Sequence, residues 1–285
     1  MKSTDGGVTW SAYTVGDTIT LTNVNDYVLL EAGVNGNAKF GKDSNNYYKF
    51  VVTGKIEIEA DKLNYLLDQS GVVSQNPSNA FAFLFDDCSQ LEGSLDMSWL
   101  TEAGTNAFRF TFRNTGATSI NISNLASISE SGLYGTFYDC TNLTSVDLSS
   151  LTTVRSYGLR NAFYGCTYLQ SVSLPYLTTL TGTEAMRATF GGCTSLKTVV
   201  LKKLSTTTGT TTPMTSTFTG CTALEVVDFS EATAIPSIES NTFTSTNNTF
   251  QIVVPDSLYS TWIAATNWSA LSSQIVKASE YTPAS

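Results

Sequence analysis

Residues 133–151 read LYGTFYDCTNLTSVDLSSL. Close variants begin again at Leu159 (LRNAFYGCTYLQSVSLPYL), Met186 (MRATFGGCTSLKTVVLKKL) and Met214 (MTSTFTGCTALEVVDFSEA). Each copy places a cysteine three residues after a phenylalanine and three before a leucine. The cysteines stand at 88, 140, 166, 193 and 221, giving spacings of 52, 26, 27 and 28 residues. The first spacing is twice the second, so a copy without cysteine is expected near residue 114. Asn114 takes the cysteine place there, followed by Ala117, Ile120 and Ile122. In a degenerate last copy Thr246 stands for the cysteine, ahead of Ile252 and Val254. About seven units of this period, with an L-x-x-V-x-L core, predict a solenoid whose coils bury a shared core only by stacking.

Within a unit, Val146-Asp147-Leu148 alternates as a short strand with one buried face. Leu133 and Phe137 are four apart, as are Leu159 and Phe163, Met186 and Phe190, and Met214 and Phe218. That spacing predicts one face of a short helix or 3₁₀ turn. The cysteine then fills the corner before the strand as a small hydrophobe. A disulfide or metal framework is the rival reading. An odd cysteine count and the absence of any C-x-x-C pair count against it.

The string F-x-x-C-T-x-L-x-x-V-x-L resembles the BspA-like leucine-rich repeat family of bacterial surface proteins. Phe137, Cys140, Leu143, Val146 and Leu148 carry the resemblance, with their counterparts in the next three copies, across about residues 81 to 255. The resemblance implies a curved right-handed solenoid, secreted or surface-anchored, used for binding or adhesion. The expected fold class is mostly β with short helical turns: a leucine-rich repeat solenoid with an N-terminal β cap module and a C-terminal helical cap. The expected division is 1–62 for the β-rich module, 63–255 for the solenoid, and 256–285 for the cap and tail.

Residues 1–62 read as strands between Gly, Asp and Asn turns. Trp10, Tyr13 and Tyr27 make a sugar-binding module the sharper alternative to packed core aromatics there. The early turn at Asp5-Gly6-Gly7 suggests either a chain that starts at a processing boundary or a join to a larger assembly at that end. In the C-terminal segment Asp256 is the expected helix N-cap, with Leu258, Trp262 and Ile263 at helical spacing.

Composition excludes several classes of function. The 285 residues contain no histidine, which removes Ser-His-Asp and Cys-His catalysis and the usual zinc ligands. A net charge of -9 without a basic run argues against nucleic acid. No apolar stretch reaches membrane-spanning length, so membrane insertion is not expected. The polar start MKSTDGGVTW carries no visible secretory signal. No phosphate loop, dinucleotide fingerprint or calcium loop is present, and no cofactor is expected.

The candidate contact surface is a cluster of tyrosines near the bends: Tyr134, Tyr138, Tyr164, Tyr168 and Tyr176. Partial packing over the repeat edges is their bland alternative. The exposed strand positions form two rows. Ser119, Ser145, Ser171, Thr198, Val226 and Gln251 make one; Asn121, Asp147, Ser173, Val200, Asp228 and Val253 make the other. Asp147, Ser173 and Asp228 are the second candidate site. The expected function is non-enzymatic binding or adhesion outside a bacterial cell, with a host protein or glycan as partner. The alternative is a virion component, a phage fibre or decoration protein with a receptor-binding role, located on the virion.

Overall fold

The computed structural model describes residues 2–3, 29–30, 56–57, 78, 81–208 and 212–283. Its body is a β-solenoid of about seven coils. Each coil contributes to three lengthwise strips. A long parallel sheet runs through Ile56–Glu57, Leu91–Asp96, Gly116–Asn121, Ser145–Asp147, Ser171–Ser173, Thr198–Val200, Val226–Asp228, Gln251–Val254 and Ile275–Lys277. A second parallel sheet takes Glu102–Ala103, Ser127–Ile128, Thr153–Val154, Thr179–Thr181 and Thr206–Thr208. The third strip consists of turns.

The register of the long sheet follows the L-x-x-V-x-L pattern. Ile120, Val146, Val172, Val199, Val227 and Ile252 are inward-facing counterparts, paired coil to coil where direct pairing is recorded. All are buried, as are Leu148, Leu174 and Leu201 at the following corner. The register shifts once between the strands Leu91–Asp96 and Gly116–Asn121: Gly93 pairs with Ala117 and Ser94 with Ser119, so Thr118 is passed over in a β-bulge.

The turn strip is neither the short helix nor the plain 3₁₀ turn expected there, although alternate residues keep the i→i−3 bond of a 3₁₀ turn. In a helix every N–H would bond four residues back. Here alternate residues divide their bonds. Leu133 N, Gly135 N, Phe137 N and Asp139 N donate to carbonyls of the next coil at Gly158, Arg160, Ala162 and Tyr164. Tyr134 N, Thr136 N, Tyr138 N and Cys140 N donate three residues back within their own coil. The result is a ribbon of overlapping turns, bonded sideways like a sheet. Every fourth residue then needs a left-handed backbone: Ser131, Gly135 and Asp139 in one coil, Tyr157, Asn161 and Gly165 in the next. A period of four still puts Leu133 above Phe137, which is why the spacing mimics a helix. The telling signal is the Gly, Asp or Asn just before the cysteine (Asp87, Asp139, Gly165, Gly192, Gly220), residues that tolerate positive φ.

Phenylalanines stack down the core as Phe85, Phe112, Phe137, Phe163, Phe190, Phe218 and Phe243, with successive ring centroids 5.0–5.8 Å apart. Such stacking adds roughly 0.5–1.5 kcal/mol per pair beyond burial. The residue three after each is the cysteine or its substitute. By this ladder Thr115, not Asn114, takes the cysteine place: its hydroxyl donates to Phe112 O at 3.0 Å, while Asn114 lies exposed. Thr246 is where the sequence puts it, donating to Phe243 O at 2.9 Å.

All five cysteines are buried thiols outside any disulfide. They are more than space-fillers. Cys140, Cys166, Cys193 and Cys221 donate their thiols to the phenylalanine carbonyl of the preceding coil, at 3.0–3.2 Å. Beside them runs a row of buried threonines. Thr111, Thr136, Thr189, Thr217 and Thr242 each donate to a carbonyl one coil back, at 2.7–3.0 Å. Most of these carbonyls already accept a backbone N–H within their own coil, as Phe137 O does from Cys140 N and Leu159 O from Ala162 N, so both rows add a second donor to a buried oxygen and tie one coil to the next.

At the C-terminal end, a 3₁₀ turn (Asp256–Leu258), a one-turn α-helix (Tyr259–Trp262) and a second 3₁₀ turn (Ser269–Leu271) precede the strand Ile275–Lys277. Trp262 and Trp268 pack on Phe229, centroids 5.7 Å away in both cases. The added strand is not among the elements expected for this segment. Asp256 is not the N-cap: Pro255 holds that position, and the Asp256 carboxylate accepts from the backbone and hydroxyl of Ser279. The module expected over residues 1–62 lies outside the described residues, apart from Lys2–Ser3 paired antiparallel with Leu29–Leu30, and Ile56–Glu57 paired parallel with Leu91–Glu92. Trp10, Tyr13 and Tyr27 lie outside them entirely.

Candidate functional site

Two outward faces compete for the role of contact surface. On the long sheet, Ser145, Asp147, Ser171 and Ser173 are exposed. The acidic row has a local duty. Asp147 Oδ1 accepts from Ser149 N at 2.9 Å, and Asp228 Oδ1 accepts from Ser230 N at 2.8 Å. Asp96 and Asn121 do the same for Ser98 and Ser123. These are Asx turns that close the corner after each strand, and D/N-x-S is their sequence signature. Ser173 makes no such bond. Val226 and Val253, expected to be exposed, are buried. Tyr281 sits on that part of the face: burial first, then the charges of Asp228 and Glu225, raise its phenol pKa.

The turn strip carries a different chemistry. It brings together Tyr134, Tyr138 and Tyr164 of the five candidate tyrosines. Tyr168 (61% exposed) stands apart at the corner leading into Ser171–Ser173, and Tyr176 (54% exposed) lies beyond that strand, with Lys203 Nζ 4.9 Å from its ring. Tyr138 and Tyr164 stack with centroids 4.9 Å apart. A Cβ on Gly191 would come within 2.7 Å of the Tyr164 ring, so the other side of that ring lies against glycine backbone. Burial first, then nearby Asp139, raises the Tyr138 pKa. Both tyrosines are therefore partly packing and partly surface; Tyr164 remains 37% exposed. Their free parts are ring edges and hydroxyls.

The sequence reading passed over the arginines on this strip. Arg109, Arg113, Arg160 and Arg187 all lie on the turn ribbon, four of the five arginines in the chain. Arg113 bonds Asp86 and Asp87, and Arg160 and Arg187 share Glu184. Tyr134 lies between two guanidinium groups, Arg109 and Arg160, each 5.3 Å from its ring centroid. Arg109 is also 5.8 Å from the rings of Phe83 and Phe110. Phe83 and Phe110 hold left-handed backbones, φ 62° and 51°, where later coils have Gly135, Asn161 and Ala188. A bulky residue in that region costs on the order of 1–2 kcal/mol, so the strip bears strain where its aromatic patch is largest.

The cysteine row offers no reactive site. Burial pushes the Cys140 thiol up to about 11 and the Cys221 thiol up to about 12, and raises Cys166 and Cys193 well above their ordinary value. Among the described residues no group of side chains is arranged to hold a metal ion, and no helix is long and apolar enough to cross a membrane.

No curated protein matches the chain. The model of the BspA type leucine-rich repeat region matches it in six copies, over residues 81–161 and 135–265. That match, covering well over half the sequence and coinciding with the stacked coils, makes the chain a member of the BspA type leucine-rich repeat family.

Proposed function

We propose that the protein is a non-enzymatic binding protein displayed outside a bacterial cell, and that it adheres to a host protein or glycan through its turn strip. Family membership supports a surface-type repeat scaffold for protein binding. The observation that carries the choice of face is the concentration of tyrosine and arginine there, against hydroxyls and Asx turns on the long sheet. Tyrosine and arginine are over-represented among residues that dominate binding energy. The scaffold itself holds the rings by stacking, so little side-chain freedom is lost on contact.

An array of host matrix proteins and glycans, probed with the purified chain, tests this reading. Saturable binding is expected, weakened by Tyr138→Ala with Tyr164→Ala and kept by Ser145→Ala with Ser171→Ala. Binding lost only in the serine pair would move the site to the sheet. Catalytic turnover of any array component would end the non-enzymatic reading.

A further inference from the structure

We propose that Arg109 is the anchor of the turn strip and that it receives a carboxylate from a polypeptide partner, presented beside an apolar or aromatic side chain. The proposal rests on the assignment of the turn strip as the contact face and gives that face a partner chemistry.

Of the four arginines on the strip, three are engaged by carboxylates of this chain. Among the described residues Arg109 has none, and no hydrogen bond to its guanidinium; its Nε is buried without a partner there. Its setting is instead three aromatic rings, from Phe83, Phe110 and Tyr134. Rings hold a guanidinium by their faces and leave its in-plane donors open. They also displace water, which strengthens any charge pair formed there. A planar fork of this kind matches a carboxylate in two parallel hydrogen bonds.

The surroundings select the class of partner. Phe83, Phe110 and Tyr134 are half-buried, so an incoming carboxylate meets apolar ring edges beside the cation. A peptide segment with Asp or Glu next to an apolar side chain supplies both contacts. Glycans stack on open ring faces, and here the faces are taken: Phe110 lies against Gly135, where a Cβ would meet the ring at 2.2 Å, and Tyr134 is flanked by two guanidinium groups. Polyanions gain from many cations at once, whereas this chain carries a net charge of -9 and neutralises the neighbouring arginines itself.

The test is selection of a displayed library of random short peptides on the full chain, followed by affinity measurements with synthetic peptides. Enriched sequences are expected to pair an acid with an aromatic or aliphatic residue. Replacing that acid by its amide should weaken binding by roughly tenfold or more, and R109Q should do the same. The two losses should not add, because they remove one interaction. R109K, which keeps charge without the fork, should bind between the two. If R109Q fails to fold, the amide peptides on the unaltered chain and R109K still read the coupling. The proposal falls if enriched peptides lack acids, if no peptide is enriched, if R109Q binds as well as the parent, or if only acidic glycans depend on Arg109. Loss of binding with Tyr138→Ala and Tyr164→Ala, but not with R109Q, would keep the turn strip and remove the carboxylate.

Discussion

The turn strip and the long sheet are built on the same coils, yet their outer surfaces have diverged. The sheet presents mostly small hydroxyls, and in four of its coils the outward Asp or Asn (Asp96, Asn121, Asp147, Asp228) closes the next corner. The turn strip keeps its inner ladder constant while its outer columns vary: Arg109, Tyr134, Arg160, Arg187 and Thr215 in one, Arg113, Tyr138, Tyr164, Gly191 and Thr219 in the other. A repeat protein needs uniformity only where coils touch. Variation on an outer face, including rings placed on strained backbone, is where individual coils can acquire a contact of their own.

The comparison breaks first if its inner ladder is not a ladder. Phe163 is fully buried between Phe137 and Phe190, so Phe163→Ala should cost roughly 3–5 kcal/mol. Chemical denaturation measures this; a loss under about 1 kcal/mol would mean the stack tolerates a gap. Next comes the hydroxyl row. Thr189→Val removes one of two donors to Leu159 O (2.9 Å), the bond from Ala162 N remaining, and should cost about 0.5–1.5 kcal/mol, the net worth of one hydrogen bond.

The thiol row gives a pH prediction. Folded thiols hold their protons to higher pH than the unfolded value near 9, so the folded state binds more protons above that pH. Stability should be unaffected by these groups below about pH 9 and fall from there toward 11 to 12, by up to about 1.4 kcal/mol per pH unit for each thiol. Native thiols should also resist alkylation until the chain is denatured. Stability that stays flat to pH 11, or rapid native labelling, would show the row to be accessible. Cys166→Ser should be milder than a buried orphan hydroxyl, since serine can donate to Phe137 O as the thiol does; Cys166→Ala is the comparison that exposes the hydrogen bond. The smallest effect belongs to the outer surface. Tyr168→Ala should stay within about 0.5 kcal/mol of the parent, because the ring is largely in solvent.

The coil period, strand register and buried faces were legible from the repeat, because a shared core imposes the same apolar positions on each copy. Three features were not. The turn ribbon shares its four-residue period with a helix, so Leu133 and Phe137 could not tell the two apart; Gly135 and Asp139, needed at positive φ, could have. The place of Thr115 was hidden because one residue fewer separates it from Ile120 than separates Cys140 from Val146. Val226 and Val253 are buried on a part of the sheet to which the C-terminal segment returns, with Val276 paired to Val253 and Tyr281 near Asp228 and Glu225, a return that no local pattern announces. As for the candidate site, Tyr134, Tyr138 and Tyr164 were found by composition. Their arginine neighbours were not, since residues such as Tyr134 and Arg160 are brought together only by coil stacking.

The central claim is that contact is made by the turn strip while the long sheet serves as scaffold. Hydroxyl-radical footprinting of the chain, free and bound to a captured partner, tests it directly. Protection should fall on Phe110, Tyr134, Tyr138 and Tyr164, with Tyr176 and Tyr281, which report the far corner and the sheet, unchanged. Protection confined to Tyr281 and the neighbouring strand residues, with the turn-strip rings still reactive, would contradict it.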